Sequence, residues 1–381
     1  MNTSRLALYY AAYFAVIGIL LPFWPVWLEA KGLDAIEIGF VLSSATFVRA
    51  CASPFIAQVA DRRGLRQPIM LALASASMIS FAGFNFISGF WAITMCTILF
   101  FMFFSASQPL AESLTMHIVR TEGANYGRIR LWGSITFIFA AVFGGRILEG
   151  RSVDAIFFLA LAGLGLLLAA CLVQPRARFP SDTVREFPIL QLLKKKHFVL
   201  LLAATAFVQS SHAVVYSFST IHWKGINFSE TLIGFLWAEG VVAEILIFQY
   251  SAIILRNFSP IMLIVFGGIA GIIRWSIMGY TDVLPALIFA QALHGLTFGA
   301  THLGAIHYIS ETIPPNLSAT AQSLLSAVVM GIAIGITTMV SGALYGAIGS
   351  QAYFPMSGMA TVGLLLGLVL YYQVKPEKSH V

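Results

Sequence analysis

Residues 109–133 read PLAESLTMHIVRTEGANYGRIRLWG, and they join two long apolar segments through a short polar loop. Glu112 lies inside the first segment, about two turns before its end, and Arg130 lies just inside the second. Because the connection is short, the two segments are expected to be antiparallel neighbours, with both charges at a similar shallow depth. A charge in lipid costs roughly 2.5–3.5 kcal/mol on insertion scales. The pair therefore predicts a hydrated cavity between helices, with Glu112 and Arg130 as a candidate substrate site. The alternatives are a structural ion pair between the two helices and an Arg130 side chain that extends to the membrane surface.

The composition is that of a membrane protein. Of 381 residues, 59% are hydrophobic and 10% are charged, whereas a soluble domain carries about 25% charged residues. Long apolar runs predict an all-α membrane protein, because a helix satisfies its own backbone polar groups in lipid. The net charge of +6 comes mostly from loops on one face, so it indicates membrane topology and not nucleic-acid binding.

Twelve apolar segments are long enough to cross a bilayer. They are predicted at about 6–28, 36–59, 67–87, 91–117, 128–149, 153–174, 198–222, 230–255, 259–280, 284–309, 318–347 and 351–373. A polar segment separates the first six from the last six. We therefore predict an N-terminal six-helix bundle over residues 1–174, a basic cytoplasmic linker over 175–196 and a C-terminal six-helix bundle over 197–381.

Lysine and arginine lie mainly on one side of this arrangement. The side with both termini and the even-to-odd loops holds 16 of them, counted from the sequence. The other side holds only four, Lys31, Arg146, Arg151 and Lys224. The positive-inside rule then predicts a cell inner membrane protein with both termini in the cytoplasm.

The loop after the second span carries a recognisable motif. Residues 57–66 read AQVADRRGLR, which resembles the G-x-x-x-D-R-x-G-R signature of the major facilitator superfamily, with Ala57 at the first glycine and Leu65 before the last basic residue. Together with twelve spans in two halves, the resemblance implies the major facilitator fold. It also implies a gating role in the inward–outward switch for Asp61, Arg62, Gly64 and Arg66. The alternative is an ordinary basic cytoplasmic turn.

Residues 109–133 resemble the lactose permease branch of that superfamily. In that branch a P-x-x-E on helix four precedes F-G-R-x-R at helix five by the same spacing as Pro109 to Glu112 and Tyr126 to Arg130 here. The resemblance implies that Glu112 and Arg130 grip the substrate. It also places Phe137 where the permease stacks its sugar on a tryptophan.

The second half resembles the permease with two departures. Arg274 and His294 have the spacing of its helix-nine arginine and helix-ten histidine. Thr297 stands where the permease has its proton-carrying glutamate. Val241 stands at its helix-eight acid, with Glu244 one turn on.

A closer resemblance extends over nearly the whole chain. It is to the 3-phenylpropionic acid transporter family, a subgroup related to lactose permease and regarded as proton-coupled. The matching segments include residues 22–28 (PFWPVWL), 126–134 (YGRIRLWGS), 212–216 (HAVVY) and 240–244 (GVVAE). The sequence contains no nucleotide-binding P-loop, H-E-x-x-H or nucleophile elbow, which disfavours an intramembrane enzyme. A receptor or scaffold would not need ionisable groups on five spans.

Ionisable side chains inside spans eight, nine and ten suggest how protons are coupled. A carboxyl group that exchanges partners can load and release a proton, and histidine titrates near neutral pH. We predict proton coupling by Glu244, assisted by Arg274 and His294, with His302 as a further candidate that lines the cavity. The alternative is a static polar network that holds three helices together.

Arg49 lies near the middle of span two, where its guanidinium can hold a substrate carboxylate in a bidentate fork. The alternative is an ion pair with Glu239 or Glu244 across the two halves. His212 and Tyr216 are further candidate substrate contacts in span seven. The spacing of the histidines predicts no metal site, and no cofactor is expected.

These features predict a monomeric secondary transporter that works by alternating access, with a small-molecule substrate, protons and lipid as its partners. The expected activity is proton symport of a small aromatic carboxylate such as 3-phenylpropionate. Arg49 or Arg130 would hold the carboxylate, and Phe137 would contact the ring. The alternative is symport of a sugar or nucleoside held by Glu112 and Arg130.

Overall fold

The computed structural model describes residues 2–63, 66–175 and 189–374, and helices are the regular elements throughout these ranges. In chain order they are α1 (Asn2–Ala30), α2 (Ala35–Arg63), α3 (Gln67–Ala82), α4 (Phe90–Glu122), α5 (Tyr126–Leu148), α6 (Asp154–Leu172), α7 (Ile189–Leu193), α8 (Lys196–Ser210), α9 (Ala213–Gly225), α10 (Glu230–Gln249), α11 (Ser251–Asn257), α12 (Pro260–Tyr280), α13 (Leu284–Ala292), α14 (Thr301–Thr312), α15 (Pro315–Leu325), α16 (Ile334–Ile348) and α17 (Tyr353–Val374). Two stretches of wider π-helix, Gly295–Ala300 and Ser326–Ala333, continue the helices on either side of them.

Eleven helical stretches among the described residues are long and apolar enough to cross a membrane. The last of them, Leu317–Val374, has 58 residues, far more than the roughly 20 that one crossing needs. A 3-10 turn at Gly349–Ala352 divides it, and Gly349 has a φ of 57°, which glycine adopts at no steric cost. The described residues therefore contain twelve helical stretches of sufficient length and apolar composition to cross a membrane, as the apolar runs predict.

Three residues join α4 to α5. Gly123 ends α4 in the left-handed conformation, and Asn125 caps α5. The Asn125 side-chain oxygen accepts a hydrogen bond from the backbone N–H of Arg128 at 3.0 Å, which satisfies one of the free donors at the helix start. This turn brings the last residues of α4 beside the first residues of α5.

The described helices pack into two units. The first contains α1 to α6 together with Tyr216–Ala238, and the second contains residues 189–215 and 239–374. The predicted boundaries at 174 and 196 stay predictions, and residues 176–188 of the proposed linker lie outside the described ranges.

Buried aromatic rings and side-chain hydrogen bonds hold α1 inside the first unit. Trp24 and Trp27 stack with ring centroids 4.3 Å apart, and both pack edge-on against Phe84. One face of α1 is fastened to α5, because the Thr136 hydroxyl donates to the backbone oxygen of Ala11 at 2.9 Å. The position of α1 relative to α5 is therefore fixed by direct contacts.

Backbones of α5 and α10 touch at a crossing within the first unit. A Cβ added to Gly145 would lie 2.2 Å from the Glu230 carbonyl oxygen, and one added to Gly234 would lie 2.2 Å from that of Ala141. Small residues four apart permit this approach, as they do in many membrane helix pairs. At the end of the crossing, the Thr231 hydroxyl donates to the Glu149 carboxylate at 2.6 Å.

The second unit packs α12 against α14, α17 and the π-helical segment Gly295–Ala300. Its largest described core combines side chains of α7, α8, α12, α14 and α17, among them Leu192, Phe198, Ile264, Ala305 and Leu370. The π-helical segment begins immediately after His294. Such wide turns are rare and occur frequently at functional sites.

Candidate functional site

The structure brings Glu112 and Arg130 together in the first unit. Arg130 Nε lies 3.6 Å from Glu112 Oε1, and each side chain is 30% exposed. The Tyr126 hydroxyl donates a hydrogen bond to Glu112 Oε2 at 2.8 Å. Two aromatic rings of α1 adjoin this pair, and we call the set Glu112, Arg130, Tyr126, Tyr10 and Phe14 the Glu112 cluster.

The aromatic rings of the Glu112 cluster lie against the guanidinium. Arg130 Cζ is 4.1 Å from the centroid of the Phe14 ring and 5.4 Å from that of Tyr10. A cation over a ring face is attracted by the ring quadrupole. Tyr10 is fixed in turn, because its hydroxyl donates to Thr115 Oγ1 at 3.3 Å. The cluster thus presents a carboxylate acceptor beside aromatic surface, in a position that remains open to solvent.

The other candidates of the first unit are not part of this cluster. Arg49 is exposed and lies within electrostatic range of the Tyr13 hydroxyl. Phe137 is only 5% exposed. Tyr216 packs beside Trp237, with ring centroids 6.2 Å apart. Substrate contact by each of these residues stays a prediction.

Of the predicted gating residues, Arg66 is the one whose side chain the structure describes. It is buried, and its Nε and Nη2 atoms lie 3.4 and 3.3 Å from the Ser113 hydroxyl, next to Glu112 in the chain. The side chains of Asp61 and Arg62, and all of Gly64, lie outside the described residues. The motif is therefore linked to α4 through Arg66.

A buried hydrogen-bonded network in the second unit contains most of the predicted proton-coupling residues. Arg274 is 2% exposed. Its Nη1 lies 3.0 Å from His294 Nδ1 and 2.9 Å from Thr297 Oγ1, and its Nη2 donates to Gln291 Oε1 at 2.7 Å. His212 joins the network through Thr297, and Glu244 joins through His294. We call these six residues the Arg274 network: His212, Glu244, Arg274, Gln291, His294 and Thr297.

Arginine can only donate hydrogen bonds, and this fixes the tautomer of His294. Because Nδ1 of His294 accepts from Arg274, its proton lies on Nε2 in the neutral ring. That nitrogen is 3.9 Å from Glu244 Oε2. A second proton on Nδ1 would point at the guanidinium, so His294 cannot be doubly protonated while this contact is kept.

His212 has the opposite tautomer. Its Nδ1 is 2.9 Å from the backbone oxygen of Gln209, so it donates there, and Nε2 is left to accept from Thr297 at 3.0 Å. His212 is fully buried. Its role as a substrate contact stays a prediction, and the observed partners are those of a structural member of the network.

His302 is separated from the Arg274 network by the ring of Phe298. Phe298 stacks on His294 at 5.4 Å and on His302 at 6.3 Å. No hydrogen bond or ion pair joins His302 to the rest of the described chain. Within residues 2–63, 66–175 and 189–374, no three His, Cys, Asp or Glu side chains are grouped to hold a metal ion.

Four residues of these sites are not predicted by the sequence: Phe14, Tyr126, Gln291 and Thr297. For two of them a signal was present, because Gln291, His294 and Thr297 are spaced by three and so share a helix face. Tyr126 opens the Y-G-R-I-R motif but falls in a predicted loop. Nothing local in the sequence indicates that Phe14 meets Arg130.

Comparison with known proteins decides the family. Residues 3–356 match the MFS_1 like family. The chain belongs to it. This member of the MFS_1 like family is 32% identical over 378 residues to the "Probable 3-phenylpropionic acid transporter" of Escherichia coli (strain K12), covering 96% of this chain and 97% of the relative. It is 28% identical to the maltose permease of Geobacillus stearothermophilus, covering 88% of this chain and 86% of that permease.

Solved structures agree on the fold. A crystal structure of a mutant of the nucleoside transporter NupG has a TM-score of 0.89 at 15% identity, covering 97% of this chain and 100% of that one. The family match and the 32%-identical relative, together with this fold, make the chain a multi-pass secondary transporter of the major facilitator superfamily that acts on small molecules. Its family and its 32%-identical relative are transporters and not enzymes.

Proposed function

We propose that this transporter carries a small aromatic carboxylate of the 3-phenylpropionate type together with protons across the inner membrane, as a monomer with both termini in the cytoplasm. The proposed substrate class rests on which arginine side chains of the first unit already have a carboxylate partner. Arg130 is already paired with Glu112. Arg49 is exposed near the middle of α2, and within the first unit no described carboxylate lies within ion-pair distance of it.

An exposed cation in a membrane span suits an anionic ligand. Facing lipid would cost Arg49 several kcal/mol, so its exposure is consistent with a water-filled path. A guanidinium binds a carboxylate through two parallel hydrogen bonds. The likeness to a protein described as a probable 3-phenylpropionic acid transporter supports the same substrate class. Arg49 would hold the carboxylate, and aromatic side chains of the first unit would contact the ring.

Glu244 is the residue to which we assign the coupled proton. His294 keeps its Nδ1 for Arg274 and presents its Nε2–H toward Glu244. At 3.9 Å this approach is electrostatic and not a hydrogen bond. A charged Glu244 carboxylate attracts the Nε2–H dipole of His294, and a protonated carboxyl group attracts it less. Loading of Glu244 would thus loosen its link to the rest of the Arg274 network, which is the two-state behaviour that coupling requires.

Uptake into vesicles under an imposed pH gradient tests both assignments, with labelled 3-phenylpropionate as the probe. R49Q is expected to abolish uptake, R49K to retain part of it, and the exposed-residue control R120Q to transport like the wild type. E244Q is expected to lose accumulation driven by the pH gradient and to keep exchange of internal for external substrate. Full accumulation by R49Q would overturn the anion site, and pH-driven accumulation by E244Q would overturn the proton site.

A second candidate is symport of a sugar or nucleoside. The Glu112 cluster favours it, because a carboxylate beside a ring suits a neutral ligand with hydroxyl groups. Labelled maltose and uridine in the same vesicles distinguish the candidates. Uptake of either probe, abolished in E112Q and retained in R49Q, would replace the aromatic acid as the proposed substrate.

A further inference from the structure

Gly133 lies where the Phe14 ring and the Arg130 guanidinium meet. A Cβ built on Gly133 would be 2.8 Å from Phe14 Cδ2 and 3.1 Å from Arg130 Nη1. Both distances are shorter than ordinary van der Waals contact. Gly133 follows Arg130 by three residues on α5, so both lie on the helix face that meets α1. Any side chain here would have to displace the ring or the guanidinium.

The helices cannot separate easily to make room. An added Cβ on Gly18 of α1 would lie 2.7 Å from the Phe137 backbone oxygen of α5, so the two backbones are already in close contact. The Thr136 hydroxyl, one turn beyond Gly133, shares its single proton between the backbone oxygens of Trp132 at 2.8 Å and Ala11 at 2.9 Å, and Ala11 is one turn before Phe14. The contact holds α1 and α5 together at the level of the ring. A side chain at residue 133 would therefore be accommodated by movement of Phe14 and Arg130, and not by movement of the helices.

The orientation of Arg130 matters because its edges have different partners. The Nε edge of the guanidinium faces Glu112 at 3.6 Å, and Nη1 lies beside Gly133. One flat face of the guanidinium lies over the Phe14 ring. A planar guanidinium held on one face and one edge has a defined direction for its remaining donors. The packing therefore determines which way Arg130 presents hydrogen bonds to a ligand.

We propose that Gly133 and Phe14 are positioning residues for Arg130: Gly133 supplies the space in which the Phe14 ring packs on the guanidinium, and this packing holds Arg130 toward Glu112. The inference deepens the proposed transport function, since Arg130 is a predicted substrate contact. It does not depend on whether the ligand is an aromatic acid, a sugar or a nucleoside.

The test compares G133A with G165A, a matched glycine-to-alanine control in α6 of the same unit, where an added Cβ meets no atom within 4 Å. Binding of 3-phenylpropionate, maltose and uridine is measured by titration. For whichever probe binds the wild type, G133A is expected to weaken affinity by about tenfold or more, because small misplacements of a binding group are costly. G165A is expected to stay within about twofold of the wild type.

A general packing defect is excluded by repeating G133A in two backgrounds. In R130K, which lacks the planar fork, G133A is expected to cause no further loss of affinity. In F14A, which removes the ring, G133A is expected to cause no further loss of affinity and no further drop in the unfolding temperature. An equal effect of G133A in all backgrounds, or no effect in the wild type, would overturn the positioning role.

The two proposals fail in different ways. If no probe binds the wild type, the proposed substrates are wrong. The unfolding temperatures of G133A, F14A and the double variant then still test, without any ligand, whether Gly133 supplies the space for the Phe14 ring. Additive losses would refute it, and a double variant no less stable than F14A would support it.

Discussion

At the scale of single residues, Thr297 organises the polar centre of the second unit. Its oxygen accepts a hydrogen bond from Arg274, and its one proton is directed to His212, whose other ring nitrogen donates to a backbone carbonyl. The hydrogen bonds therefore run in one direction from Arg274 to Gln209. The direction of these hydrogen bonds cannot be reversed, because Arg274 at one end can only donate and the Gln209 backbone oxygen at the other end can only accept.

Replacing the Thr297 hydroxyl tests this arrangement. We expect T297V to lower the free energy of unfolding by about 1–3 kcal/mol, because a buried donor on Arg274 and a buried acceptor on His212 both lose their partner. We expect T297S to remain close to the wild type. T337V is the control, since within the described residues the buried Thr337 hydroxyl donates to the backbone oxygen of Ala333, one turn earlier, at 2.9 Å and to no other group. Unfolding monitored by intrinsic fluorescence gives the comparison. Equal losses in T297V and T337V would contradict the network role.

The sequence anticipates the charged residues of this network better than its neutral ones. Glu244, Arg274 and His294 are conspicuous because ionisable groups are expensive inside a span. Thr297 and Gln291 are not, because hydroxyl and amide groups are tolerated in membrane helices and usually bond locally. Thr297 stands out in the sequence only as a departure from the permease pattern. Its function as a link between Arg274 and His212 depends on contacts with α12 and with the turn between α8 and α9.

At the scale of elements, the contact between α5 and α10 depends on two glycines. Each faces a backbone carbonyl of the opposite helix at a distance that excludes any side chain. Lipid provides no hydrophobic drive for helix association, so close packing and polar contacts must supply the attraction. The crossing is therefore sensitive to a single methyl group.

Adding that methyl group should open the crossing. We expect G234A to increase the maleimide reactivity of a cysteine introduced at Val142, whose Cα lies 3.1 Å from the Cβ position of residue 234. The native cysteines, Cys51, Cys96 and Cys171, are first replaced by serine. G165A in the same background serves as the control. Unchanged labelling of V142C in G234A would show that the close approach is not limiting.

The carboxylate at the end of this crossing makes it sensitive to acid. Glu149 follows α5, and hydrogen bonds from Thr231 and Arg146 lower the pKa of its carboxyl below the usual 4.5. Since the folded-state pKa is the lower one, the stabilisation is complete above the unfolded pKa and is lost as pH falls through the folded value. We expect the unfolding temperature to drop between about pH 6 and pH 3 more steeply in the wild type than in E149Q.

Glutamine keeps an acceptor for Thr231 but does not titrate in this range. The difference between the two melting curves therefore isolates the carboxyl group from the rest of the protein. If the unfolding temperatures of E149Q and the wild type depend on pH in the same way, Glu149 does not contribute to the loss of stability in acid.

At the scale of the whole molecule, the number of crossings follows from composition, but the grouping of helices does not. Apolar runs predict twelve spans, although the real ends differ; α4, for example, continues to Glu122 and not to residue 117. The association of Tyr216–Ala238 with the first unit rests on pairs such as Gly145 and Glu230, which are distant in sequence. No local pattern of hydrophobicity records such a contact.

The orientation of the protein in the membrane is also predicted by its charges. The 16-to-4 distribution of Lys and Arg, counted from the sequence, predicts that the C-terminus lies in the cytoplasm. A green fluorescent protein fused after Val381 should therefore fluoresce, and alkaline phosphatase fused there should be inactive. Phosphatase fused after Gly225, between α9 and α10, should be active. The reverse pattern would invert the topology.

The wide turn at Gly295–Ala300 has a mechanical consequence. A π-helical turn holds one residue more than an α-helical turn, and each residue of an α-helix rotates the chain by about 100°. If the position of this extra residue shifts along the helix, the residues between its old and new positions rotate about the helix axis. Their side chains then contact different neighbours, while the helix on either side keeps its hydrogen bonds. Thr297 and Phe298 lie within this turn. Span ten can thus re-aim them by exchanging a few backbone hydrogen bonds, without unwinding.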